Sequence, residues 1–184
     1  MALTESTMLE LGTLAPDFGL PDVVTGKTVR RDDFRGQKGL LLMFICAHCP
    51  YVKHMENGLA LMGADYAGKL GIVAISSNDA ESYPDDSPAG LKRQAQTMGF
   101  KFPYLYDESQ EIAHAYKAAC TPDIYLFDAE MKLVYRGQFD GSRPGNGVPV
   151  TGKDLRTALD AVLRGERPSA DQLASVGCNI KWKG

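Results

Sequence analysis

Two cysteines three residues apart stand in the segment Cys46-Ala-His48-Cys49-Pro50-Tyr-Val-Lys53. Such a pair suits thiol exchange, in which one sulfur attacks and a neighbour takes over from it. Proline is tolerated in the first turn of a helix, where its missing N–H costs nothing. A helix is therefore predicted from Pro50 to about Tyr66, with Cys49 at or near its N-cap. Unpaired N–H groups and the positive end of the helix dipole favour an anion there, and cysteine pKa values fall sharply at such positions. Cys49 is the candidate nucleophile, a thiolate for attack on a disulfide or a peroxide. Cys46 is its candidate partner, on one condition. A disulfide needs Cα atoms within ~4.4–6.8 Å, whereas three residues of extended strand span roughly 10 Å, so the chain must turn between them. His48 lies between the cysteines, where it can stabilise the thiolate as imidazolium or pass a proton to a leaving thiolate. The competing interpretations are an inert core cysteine at 49, a small strand-end hydrophobe at 46 and a solvent-facing loop histidine at 48.

Other reactive residues carry weaker signals. Cys120 directly precedes Thr121-Pro122 and reads as a buried spectator, or as a third disulfide partner if it faces Cys49. Cys178 lies in Ser175-Val-Gly-Cys178-Asn-Ile-Lys-Trp182, and two readings stay open. One is a resolving cysteine on a mobile tail. The other is a docked strand in which Cys178, Ile180 and Trp182 share a face at period two. His54 is expected on the surface, and His114 has no sequence neighbour that suggests chemistry. Asp85-Asp86, Glu108–Glu111 and Arg30-Arg31 read as solvated surface.

These residues need a frame to position them. Leu40–Ile45 is an uninterrupted apolar run, which suits a strand buried on both faces. Before it, Met1–Thr13 reads as a loose lead-in. Ala15–Leu20 and Gly26–Val29 read as two short extended pieces around a glycine turn, and Asp32–Gly36 as a turn of helix closed by glycine. After it come a second buried strand at Leu70–Ser76, a loop at Asn78–Pro88, and a helix at Leu91–Met98 stopped by Gly99. Phe102–Tyr106 suits an edge strand, and Ser109–Cys120 a helix with Ser109 as its cap. Ile124–Phe127 and Leu133–Gln138 form a predicted hairpin around Asp128–Met131. A Gly/Pro-rich loop, Phe139–Val150, leads to a helix at Lys153–Arg164 with one apolar face, and Gly165–Gly184 reads as a C-terminal tail. Helix-connected strands must be parallel and the closing hairpin antiparallel, giving a mixed central sheet with helices on both faces in one domain over 1–184.

Composition narrows the class. The 184 residues suffice for one real core, 44% are apolar, and the formal net charge of −3 points to neither nucleic acid nor an anionic membrane. No basic segment followed by a long apolar run opens the chain, and no stretch is long enough to span a bilayer, so a cytoplasmic location is expected. There, four cysteines are more often catalytic, metal-binding or inert than a structural framework.

The opening Ala15-Pro16-Asp17-Phe18 resembles the start of peroxiredoxin and related redoxin domains. The strand–Cys–Pro–helix at Leu40–Lys53 resembles thioredoxin-like oxidoreductases. Cys46–Lys53, Thr121-Pro122 and Gly177–Trp182 together resemble the peroxiredoxin-like branch of the AhpC/TSA-related redoxins, over about Gly12 to Trp182. The resemblance implies a thioredoxin-like α/β fold and a cis proline at Pro122 facing Cys49. It also implies that the Thr121 backbone is open to pair with an extended substrate. Two departures stand out. Relative to thioredoxins, Cys49 takes the first position of the Cys-x-x-Cys pattern, Val52 takes the second, and His48 replaces the usual tryptophan. Relative to peroxiredoxins, Leu42 and Cys46 stand where proline and threonine are expected, and a thiol hydrogen-bonds poorly. The expected activity is thiol–disulfide oxidoreduction through Cys46 and Cys49, without a cofactor. Thiol peroxidase action, with Cys46 or Cys178 resolving, is the alternative. A Sco-type metal-binding role through Cys46, Cys49 and a histidine comes third, with no fourth ligand evident. The expected partners are a disulfide-containing protein or a small thiol or peroxide substrate, together with a thiol reductant of unknown identity. A homodimer fits the resemblance.

Overall fold

The computed structural model describes residues 2–184. In chain order the elements are β1 (Leu3–Glu5), β2 (Gly19–Pro21), β3 (Thr28–Arg30), a 3-10 turn at Arg31–Phe34, β4 (Gly39–Phe44) and α1 (Pro50–Tyr66). Then follow β5 (Gly71–Ser76), a second 3-10 turn at Pro84–Asp86, α2 (Pro88–Met98), β6 (Tyr104–Tyr106) and α3 (Glu111–Ala115). The chain closes with β7 (Cys120–Thr121), β8 (Asp123–Asp128), β9 (Leu133–Tyr135), α4 (Lys153–Leu163) and β10 (Val176–Asn179).

The main sheet has five strands in the order β6-β5-β4-β8-β9. β4 runs parallel to β5 and antiparallel to β8, and the sheet is mixed as expected. Every residue of β4 is buried, because apolar side chains project from both of its faces. Leu41, Met43 and Ile45 pack with residues of α1, α2 and α4, including Leu59, Leu91 and Leu159. Leu40, Leu42 and Phe44 pack on the opposite face with Ala15, Phe18, Ala113 and Tyr116. Strand alternation thus divides one apolar run between two cores. Helix α1 begins at Pro50 and buries Val52, Met55, Leu59, Met62 and Tyr66 at helical spacing. Gly99, at φ 67°, closes α2 as a left-handed cap.

Three expectations need correction. The lead-in Met1–Thr13 is not loose: Leu3–Glu5 pairs with Val176–Cys178 of β10, while Met1 lies outside the described residues. Residues 165–184 do not trail away, because β10 is held between β1 and β7 in a second, three-stranded sheet. The helix expected over Ser109–Cys120 shrinks to Glu111–Ala115. Gln110 and Lys117 adopt left-handed backbone at either end of it, at φ 66° and 52°, and Cys120 leaves as a strand. Ser109 does accept an amide, from Glu111 at 3.3 Å, but the Asp107 carboxylate also takes the Ala113 amide at 3.0 Å and tightens the turn. Among the described residues no helix is long and apolar enough to cross a membrane.

Candidate active site

The site forms where β4 hands over to α1. Past Phe44 the chain keeps pairing for one residue, with Ile45 N donating to the Ile75 carbonyl at 3.0 Å, and then bends at Ala47 and His48. The turn that a Cys46–Cys49 encounter demands is therefore present. Cys49 is the N-cap, extended at φ −68° and ψ 124°, with Pro50 next. Its carbonyl accepts the first helical bond, from Lys53 N at 2.9 Å.

Cys49 is fully enclosed, yet the groups touching its sulfur form hydrogen bonds. Its Sγ lies 2.7 Å from Cys178 Sγ and 3.3 Å from the Thr121 carbonyl oxygen. Cys46 Sγ is also buried, 3.4 Å from Thr121 Oγ1. The neighbouring Cys46 thiol is the main reason that the Cys49 pKa falls to about 4; Cys178, Thr121 and the Val52 amide assist against the opposing effect of burial. The partners shift the other way. Burial first, then the bond to Cys49 and the negative charge of Asp86, push the Cys46 thiol well up. Burial and the bond to Cys49 push Cys178 up to about 12, while Lys181 and the Tyr51 amide pull it back. Of the three sulfurs, Cys49 is the one most readily ionised.

The structure adds a residue that the sequence reading placed on the surface. Asp86, expected to be solvated, has no exposed area. One carboxylate oxygen accepts the Ala47 and His48 amides at 2.7 and 3.0 Å. The other accepts Asn78 Nδ2 at 2.9 Å and also bonds His48 Nδ1. Burial raises the Asp86 pKa, and the bonds from His48 and Asn78 outweigh it, holding the carboxyl below its ordinary value. His48 is accordingly not a solvent-facing residue. Its ring stacks on Tyr83 with centroids 4.8 Å apart, and its Nε2 is buried with no hydrogen-bond partner among the described residues. The clue in the sequence was Pro84-Asp-Asp-Ser-Pro88, two prolines stiffening a short acidic turn inside an otherwise polar loop.

Cys46 Sγ, a His48 ring nitrogen and an Asp86 oxygen all lie within 4.8 Å of one another, a different trio from the Cys46, Cys49 and histidine expected for metal. The Asp86 carboxylate is already taken up by four donors, two of them from His48, while Cys46 Sγ bonds Thr121 Oγ1 instead.

Thr121-Pro122 is a cis peptide, as the resemblance implied, but the Thr121 backbone is not open. β10 covers it, pairing Cys178 with Thr121 and Asn179 with Cys120. Gly177 lies so close that a Cβ there would come 2.0 Å from the Thr121 carbonyl. Cys178 therefore sits on a docked strand, as the second reading had it, and not on a mobile tail; that strand holds its sulfur 2.7 Å from Cys49 Sγ. The expected shared face is split: Cys178 packs in the α1-side core, Ile180 in the opposite one, and Trp182 is 40% exposed, stacked on His114 at 4.2 Å. Cys120 Sγ points to the Pro122 carbonyl at 3.4 Å, and burial raises its pKa far beyond reach, in keeping with a spectator. His54 is half-buried and bonds Ser142 Oγ at 2.6 Å, which corrects its surface placement.

The AhpC/TSA family pattern matches residues 11–136. The thiol-disulfide oxidoreductase ResA of Geobacillus kaustophilus is 30% identical over 138 residues, 73% of this chain and 74% of that protein. A Mycobacterium tuberculosis protein named provisionally as a peroxiredoxin is 27% identical over 67% of this chain and 73% of its own length. The crystal structure of an uncharacterized conserved protein from Geobacillus kaustophilus superposes with a TM-score of 0.97 at 53% identity, covering 100% of this chain and 97% of that one.

Proposed function

The chain belongs to the AhpC/TSA family of thioredoxin-like redoxins, which are thiol-based oxidoreductases, and from that premise we propose that it is a thiol–disulfide oxidoreductase with Cys49 attacking and Cys178 resolving. The carrying observation is the 2.7 Å approach of the two sulfurs at the start of α1. The Cys49 thiolate attacks one sulfur of a disulfide R–S–S–R′. A Cys49–S–S–R bond forms, the substrate bond breaks, and R′S⁻ leaves to take up a proton, for which His48 is the nearby carrier. Cys178 then loses its proton and attacks the Cys49 sulfur, which releases RS⁻ and leaves a Cys49–Cys178 disulfide. The substrate has gained two electrons and two protons, and a thiol reductant must restore the enzyme.

Electrostatics supports this order. While Cys49 is an anion, its bond and charge hold Cys178 protonated. Once Cys49 carries R, that charge is gone; burial, the largest cause, still disfavours a Cys178 thiolate, but Lys181 and the Tyr51 amide favour it. Cys46 still faces Asp86 and keeps its proton. In this reading the expected Cys46–Cys49 pair gives way to Cys49–Cys178, and Cys46 serves as the donor that holds Cys49 ionised. Peptide mapping after treatment with one equivalent of a disulfide tests it. Cys49 linked to Cys178 is expected; linkage of Cys49 to Cys46 would overturn the pairing, and an unmodified Cys49 the whole reading.

A second reading, thiol peroxidase, draws on one observation. The hydroxyl missing at position 46 is supplied nearby by Thr121, whose side chain helps lower the Cys49 pKa. Stopped-flow mixing with hydrogen peroxide decides it: consumption of one thiol no faster than free cysteine discards it.

A further inference from the structure

We propose that the disulfide taken by Cys49 is a low-molecular-weight one, because the backbone edge on which an extended polypeptide would pair is filled by the chain's own C-terminal strand. The inference rests on the thiol–disulfide reading and narrows its substrate. A polypeptide recognised by strand addition needs a free row of N–H and C=O groups beside the reactive sulfur. Here that row is β7, two residues long, and β10 pairs with both. The other edge of β10 is paired to β1, and the strand is pinned beyond its ends. Ser6 N donates to the Ser175 carbonyl at 2.9 Å, Ile180 N to Ala119 O at 3.1 Å and Lys181 N to Asn78 Oδ1 at 2.8 Å. Gln110 holds the Lys181 carbonyl through Nε2 at 2.9 Å and the Lys183 amide through Oε1 at 3.0 Å. An incoming polypeptide would have to break this whole set. It would also have to reproduce the fit at Gly177, where any side chain strikes the Thr121 carbonyl at 2.0 Å. A small disulfide needs no edge. It needs one sulfur brought to Cys49, which is fully enclosed, so Ala47, His48 and Tyr51, the half-buried residues flanking it in sequence, must move aside. Bonds and electrons balance as above: the small disulfide is reduced to two thiols and Cys49–Cys178 is oxidised.

The test compares oxidised glutathione with insulin as oxidants of the reduced protein at neutral pH. Cys49 oxidation is followed by quenching and mass analysis, and each rate is divided by that of free cysteine with the same disulfide. The normalised rate with glutathione disulfide is expected to exceed that with insulin at least 100-fold. Gly177→Val, which forces β10 away from Thr121 without removing a sulfur, is expected to raise the insulin rate at least tenfold. Gln110→Ala, which frees two of the pins, serves the same purpose should that variant fail to fold. Insulin reacting as fast as glutathione disulfide in the native protein, or no gain in a folded variant, would overturn the small-substrate inference and leave Cys49 chemistry standing. Failure of both disulfides to oxidise Cys49 would overturn the reading beneath it.

Discussion

At the scale of residues, the site is a question of where one proton goes. The Cys46 thiol is the leading cause of the depressed Cys49 pKa, so Cys46→Ala should raise it. Alkylation by iodoacetamide against pH reads this directly. The native rate should be flat from roughly pH 9 to pH 5 and fall toward a midpoint of about 4. The variant's midpoint should rise by at least ~1 unit, equivalent to ~1.4 kcal/mol. The same depression links stability to pH. The folded value lies below the ~8.5 of an unfolded thiol, so the thiolate's contribution is complete above that pH and is lost as pH falls through about 4. In urea melts of the reduced protein, the advantage of native over Cys49→Ala should shrink steadily across that window. Asp86 acts on a different atom. Asp86→Asn keeps an acceptor for the two loop amides but removes the charge paired with His48, and Asp86 is not among the main causes acting on Cys49. Turnover should fall roughly 10²-fold, with the alkylation midpoint nearly unmoved. A large shift of that midpoint would show that Asp86 supports the thiolate rather than the proton transfer.

At the scale of elements, α2 must sit tightly against the 3-10 turn that delivers Asp86. Gly90, in the first turn of α2, permits this: a Cβ there would lie 2.0 Å from the Asp85 carbonyl, which is backbone and has little room to yield. Gly90→Ala, although helix-favouring in isolation, should destabilise the fold by about 1–3 kcal/mol, measured by urea denaturation, and should slow turnover as Asp86→Asn does. A neutral result would mean that the turn relaxes without moving Asp86. The elements legible in the sequence are those with local causes. β4 is a continuous apolar run, α1 starts at a proline and carries its stripe to Tyr66, and Gly99 ends α2. The elements that were missed, or left as one of two open readings as β10 was, have remote causes. β1 and β10 are three and four residues long, and each exists because the other lies across it, Leu3 opposite Cys178. Asp86 is charged and flanked by polar residues, and its burial is explained by amides 38 and 39 positions away. For the same reason Cys49 was identifiable from its immediate neighbours, whereas the filled Thr121 edge was not.

At the scale of the whole molecule, the two candidate disulfides differ in how much chain they close. Cys49 and Cys178 are 129 residues apart, so their bond would tie the C-terminal strand to the start of α1 and remove much of the unfolded chain's freedom. The loop-closure model gives about 4–5 kcal/mol for loops of this size and only about 2 kcal/mol for one as short as Cys46–Cys49. Oxidation also forfeits the stabilised thiolate, which subtracts from both. Near pH 4, where the thiolate contributes little, the long loop decides: the oxidised protein should melt at least ~5 °C above the reduced one, since ~2–4 °C accompanies each kcal/mol in a chain of this length. Calorimetry of both forms, in native protein and in Cys178→Ser and Cys46→Ser, separates the cases. The gain should survive in Cys46→Ser and vanish in Cys178→Ser. The opposite pattern would mean that the strand beside Cys49 closes the site without entering its chemistry, and that the redox partner is the residue three positions before it after all.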